Sequence, residues 1–175
     1  MNLFKTYVLW KMTHSQKSPE PVASRNLFHK DIVFFKNAGW YLDRDTAIVT
    51  DKSITAYGTA TANNGALNCY LGEAAEFAGK TISMTFTPMT EFTSSGVTAL
   101  IVASKSWTTI VSGTTVAWNG GYHSCITIPE EPEEDSRLAI RLYGRNLTLG
   151  AEVKIDNIMV YEGTEPLPYE PYIKR

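Results

Sequence analysis

Few residues in this 175-residue chain could do chemistry. His14, His29 and His123 are the only histidines, and none has the His-Glu-x-x-His or Gly-x-Ser-x-Gly setting of a metal ligand or a serine nucleophile's base. A glycosidase needs two carboxyl groups facing each other across a sugar. The densest acidic run, Glu130-Glu131-Pro132-Glu133-Glu134-Asp135, lies between two strand-like segments and reads as a solvated loop. Cys69 and Cys125 sit in apolar strand-like runs, so two reduced thiols are expected, with one disulfide between them as the alternative, and without a Cys-x-x-Cys or Cys/His cluster no zinc site is expected. The chain is therefore expected not to be an enzyme and to carry no cofactor. The remaining candidates are aromatic. Trp107, Trp118 and Tyr122 lie in or beside the loop-rich stretch 104–124, Asn119-Gly120-Gly121 follows Trp118, and Trp40 and Tyr41 follow Gly39. A ring that offers its face can stack on the C–H groups of a sugar, which makes these the candidate ligand-binding residues. The alternative is that they cap the edges of the fold or pack against another subunit.

The elements that must position them are strands. The chain holds 20 Thr, nine Tyr and seven Phe, a composition that favours sheet. Charged residues are only 19%, and a net charge of −2 gives no footprint for nucleic acid. A hydrophobic fraction of 43% is too high for a disordered chain. The apolar residues near the start are too few and too interrupted, by Lys5 and Lys11, for a signal peptide or a membrane span. Residues 1–25 divide into a short apolar segment and the polar, Pro-containing linker 13–25. Phe4, Val8 and Trp10 make an exposed fate for that segment costly, so it reads as a docking arm that pairs with a neighbouring subunit; the alternative is a disordered tail.

From residue 26 to 175 the pattern is short strands separated by turn signals. Ile32 to Phe35 reads as the first, Thr46–Thr50 and Ser53–Tyr57 as a pair joined by Asp51-Lys52, and Asn63-Asn64-Gly65 as a turn. The cleanest alternation runs from Lys80 to Thr87: Ile82, Met84 and Phe86 face one way, Thr81, Ser83, Thr85 and Thr87 the other. That polar face is expected either to be solvated or to pack against a neighbouring subunit. Ser112-Gly113 reads as a hairpin turn. In the last strand Val153 and Ile155 share one parity and Ile158 and Val160 the other, which a bulge at Asp156-Asn157 would explain; a strand buried on both sides is the alternative. About ten short strands without an amphipathic helix predict an all-β antiparallel sandwich or barrel.

The order of these segments resembles a known pattern. Asn26-Leu27-Phe28 opens the domain and Gly79 to Phe86 lies mid-chain. Two strands bracket an acidic Pro-containing loop (126–142), and Ala151 to Gly163 closes with Ile155-Asp156-Asn157-Ile158. This is similar to the jelly-roll sandwich of carbohydrate-binding modules. The ending, Met159-Val160-Tyr161-Glu162-Gly163 through Tyr169-Glu170-Pro171-Tyr172, resembles that of many bacteriophage tail, fibre and baseplate proteins. The resemblance implies a jelly-roll β-sandwich preceded by an extended N-terminal arm. It implies a non-enzymatic virion structural protein, a capsid- or tail-decorating or fibre subunit. Such a subunit would be held to other virion proteins by its arm, assembled as a homo-oligomer (commonly a trimer), and able to contact host surface glycans. It also implies a structural calcium with Asp156 as ligand; the competing reading is that Asp156 satisfies backbone groups at the bulge. The alternative function is a stand-alone carbohydrate-binding module or adhesin domain.

Overall fold

The computed structural model describes residues 25–36, 39–90 and 98–173. The arm residues Phe4, Val8 and Trp10 lie outside them. Ten strands form: β1 (Leu42–Val49), β2 (Ile54–Gly58), β3 (Ala62–Glu73), β4 (Thr81–Pro88), β5 (Ala99–Lys105), β6 (Thr108–Ser112), β7 (Thr114–Trp118), β8 (Gly121–Thr127), β9 (Arg137–Leu147) and β10 (Glu152–Glu162). A 3-10 turn, Ala74–Phe77, links β3 to β4. The strands make two antiparallel sheets, ordered β1-β2-β10-β4-β8-β7 and β3-β9-β5-β6. The chain crosses between the sheets at β2–β3, β3–β4, β4–β5, β6–β7, β8–β9 and β9–β10, so the fold is the expected all-β antiparallel sandwich, wound in jelly-roll fashion.

The alternation in β4 sets the interior. Ile82, Met84 and Phe86 are buried, and Leu138, Ile140 and Leu142 of β9 close over them from the other sheet. In β10 the register against β4 shifts between Asp156 and Met159, and Asn157 takes a φ of +50°. The bulge turns both apolar halves of the strand inward: Val153, Ile155, Ile158 and Val160 all belong to the core.

Three local expectations are corrected. Ser112-Gly113 is not a hairpin turn: β6 pairs with β5 in one sheet, β7 with β8 in the other, and Gly113 is the corner where the chain changes sheet. Its amide donates to the Ile101 carbonyl at 2.9 Å, and a Cβ there would meet that oxygen and the Ser124 hydroxyl. Asn63-Asn64-Gly65 is not a turn but part of β3, where Gly65 lets the Trp40 carbonyl come within 2.8 Å of where a Cβ would stand. Residues 32–35 form no strand; Phe34 alone bridges Tyr70, and the segment lies along the edge of β3. Both cysteines are free, Cys69 buried and Cys125 half-buried.

Candidate functional site

The β7–β8 hairpin turns at Asn119 (φ +46°) and Gly120 (φ +77°), two left-handed residues that suit a tight two-residue turn. The turn sets Trp118 opposite Gly121 at the end of β4. There the chain's last segment closes a cleft of about 130 Å³. Trp118 and Asn119 form one wall, Pro168 and Tyr169 another, with Asn157 at the bulge and Thr87 of β4 between them. The Asn157 amide reaches the Thr87 hydroxyl at 3.5 Å. Burial holds the Tyr169 phenol above its ordinary pKa, and the charges of Asp156 and Asp51 act the same way. Two half-buried rings with carboxamides and hydroxyls between them are the groups a neutral, polyhydroxylated ligand would use: ring faces for C–H groups, amides for hydroxyls.

The segment that supplies Tyr169 is a strap across the polar face of β4. Ser83 donates to the Gly163 carbonyl at 2.7 Å, and Thr85 to the Leu167 carbonyl at 3.0 Å. The Tyr161 hydroxyl donates to the Glu165 carbonyl at 2.9 Å and accepts from the Leu167 amide at 3.0 Å. Ser83 and Thr85 are thereby buried. The face expected to be solvated, or to meet a neighbour, is covered by the chain's own end. The far side of the strap is tied to the start of the domain by Asn26, which is 1% exposed. Its amide donates to the carbonyls of Ile158 (3.2 Å) and Glu170 (2.8 Å) and accepts from the amides of Phe28 (2.9 Å) and Val160 (3.1 Å). Arg25 pairs with Glu170, and His29 stacks on Tyr172 at 4.1 Å.

His123 Nε2 lies 3.1 Å from the Ser83 hydroxyl, a pairing that in another setting would suggest an activated nucleophile. Here the Ser83 proton is committed to the Gly163 carbonyl, so the imidazole is the donor. Both groups lie beneath the strap, and burial holds His123 below its ordinary pKa, with Glu165 opposing. The pair is structural.

The other aromatic candidates do not join this cleft. Tyr122 points inward and stacks on Phe86, with centroids 5.7 Å apart. Trp40 and Tyr41 lie just before β1, where both bridge Ala66 of β3 in the other sheet; their rings are 5.0 Å apart, and Tyr41 lines an open hollow of about 300 Å³ rimmed by Asp43, Arg44 and Asp45. Trp107 caps the other sheet at the β5–β6 turn, where the Arg141 guanidinium sits 5.6 Å from its ring. Arg141 on β9 is buried by that contact and by donating to Asn68 (2.8 Å) and Thr109 (2.6 Å). Asp156 accepts from the Asn157 amide at 2.8 Å and faces Lys52 at 3.6 Å, as the backbone reading of the bulge requires. Among the described residues no group of three or more His, Cys, Asp or Glu side chains is placed to hold a metal. Sequence reasoning missed Tyr169 and Asn157 as cleft residues. The first stood inside the terminal motif, and the second was visible only as the phase change in β10. No family model, curated protein or solved structure matches this chain.

Proposed function

We propose that this chain is a non-enzymatic structural protein of a bacteriophage particle, a decorating or fibre subunit held by its N-terminal arm, whose sandwich presents the Trp118–Tyr169 cleft to a neutral glycan of the host surface. The observation that carries the reading is the strap. The terminal segment that resembles phage tail, fibre and baseplate endings is the one that folds over β4 and supplies Pro168 and Tyr169 to the cleft. A single motif thus accounts for the resemblance and for the ligand wall. The subunit assembles with copies of itself and with other virion proteins.

The test is a neutral-glycan array probed with the full chain, the Trp118→Ala variant and the Tyr169→Ala variant. Both rings are half-buried, so the variants keep the fold. Binding that is lost in both supports the cleft; binding that survives in both sinks it. Deleting residues 1–24 is expected to abolish incorporation into particles while leaving glycan binding intact. Incorporation that persists refutes anchoring by the arm.

A further inference from the structure

A two-sheet sandwich has four edge strands, and here they are guarded unequally. The β1 edge carries Asp43, Arg44 and Asp45 and has a register shift between Asp43 and Ile48. The β3 edge is covered by the chain segment before β1, through bridges from Phe34 to Tyr70 and from Trp40 to Ala66. Charges, bulges and covering segments are the devices that stop edges from pairing with other chains. Of the remaining edges, β6 has a register shift against β5 between Ala103 and Ser104, whereas β7 pairs with β8 without a shift and, among the described residues, has none of these devices. From Thr108 to Trp118 the chain holds no charged residue and no proline, and four of its eleven residues are Thr. Neither strand has an outer partner among the described residues. Val116, at the middle of β7, is 51% exposed. A β-branched, uncharged, open edge is a template for strand addition.

We propose that β7 pairs with β7 of a second copy of this chain, antiparallel and centred on Val116, joining the two six-stranded sheets into one. A two-fold contact requires a self-complementary patch. Turning Thr114–Trp118 about Val116 sets Val116 against Val116 and Thr114 against Trp118, so the apolar residue meets itself and no charge is desolvated. The proposal rests on the homo-oligomer reading above and gives it an interface. A trimer, which the phage resemblance implies, needs a contact between two different surfaces and cannot use this one.

The test uses the full chain. Facing residues in an antiparallel pair have Cα atoms about 4.5–5.5 Å apart, within disulfide reach. The Val116→Cys variant is therefore expected to form a covalent dimer on mild oxidation. The Thr114→Cys variant faces Trp118 of the second copy and is expected not to; because Thr114 also faces Cys125 in β8, both variants are made with Cys125→Ser, and the Cys125→Ser chain is the background. In sedimentation velocity the parent is expected to be a dimer. Val116→Lys, which brings two ammonium groups together on the axis, is expected to weaken it at least tenfold with an unchanged circular dichroism spectrum. A parent that is monomeric at every concentration reached, a closed trimer, or a Val116→Lys variant that associates like the parent overturns the proposal. Tyr169→Ala separates the two readings: lost glycan binding with an intact dimer leaves this interface standing, whatever becomes of the virion assignment.

Discussion

Replacing Asn26 by Ala tests how the two ends of the chain are held. The side chain serves four backbone groups at once. Three belong to residues with essentially no exposure: the amides of Phe28 and Val160 and the carbonyl of Ile158. The fourth, the Glu170 carbonyl, is half-buried and can return to water. Leaving three buried groups unpaired, at about 1 kcal/mol each as a conservative figure, costs about 3 kcal/mol. For a chain of this size that lowers Tm by about 6–12 °C. Urea unfolding measures the free energy, and chymotrypsin, which can cut after Tyr169, reports release of the strap. Asn26→Asp keeps the acceptor but loses both donated bonds and sets a carboxylate against two carbonyls, so it is expected to be no more stable than Asn26→Ala. A loss below about 1 kcal/mol in Asn26→Ala, with the strap still protected, would refute the reasoning, since one ordinary hydrogen bond would account for it.

Other outcomes follow from the same structure. His123 is held neutral by burial, while in the unfolded chain it protonates near its ordinary value of 6.5. Stability is therefore full above about pH 6.5 and falls as pH drops below it, levelling off beneath the lowered folded pKa. Urea melts at pH 7.5 and 5.5 measure the slope, which His123→Gln should flatten. Gly113→Ala drives a methyl group into the Ile101 carbonyl and the Ser124 hydroxyl at the sheet-changing corner, with an expected cost of about 1–3 kcal/mol in thermal unfolding. Desolvation pushes the Cys69 thiol well above its ordinary pKa, so in the native state a thiol reagent should label Cys125 alone, with Cys69 reacting only after denaturation. Labelling of Cys69 at the native rate of Cys125 would contradict that burial.

The parts of the fold legible in the sequence were those governed by side-chain period. The inward row Ile82, Met84 and Phe86 and the bulge at Asp156-Asn157 both follow from the two-residue repeat of a strand, which either holds or slips by one. The connection at Ser112-Gly113 was misread because a glycine after a short strand serves equally where the chain doubles back and where it leaves for the other sheet. Only the pairing partners distinguish these, and they lie far along the chain. The polar face of β4 misled for a related reason. Hydroxyls that look made for water are equally able to donate to backbone carbonyls, and the carbonyls that take them are on residues 163 and 167. The cleft inherits that difficulty, since its two walls are some fifty positions apart and Tyr169 looks in the sequence like part of a polar tail.

The position of the Asn26 clamp decides how a pull on the N-terminal end is carried. The chain start is fastened by Leu27 and Asn26 to β10, which lies between β2 and β4 in the middle of the six-stranded sheet. Tension arriving at residue 25 therefore passes into an interior strand with a neighbour on each side, and the irregular, charged β1 at the rim is spared. The strap is fixed at the same knot, through Arg25 and Asn26 on Glu170 and His29 on Tyr172, and shares that load. A domain strung this way is held through the middle of its sheet and not through its first strand.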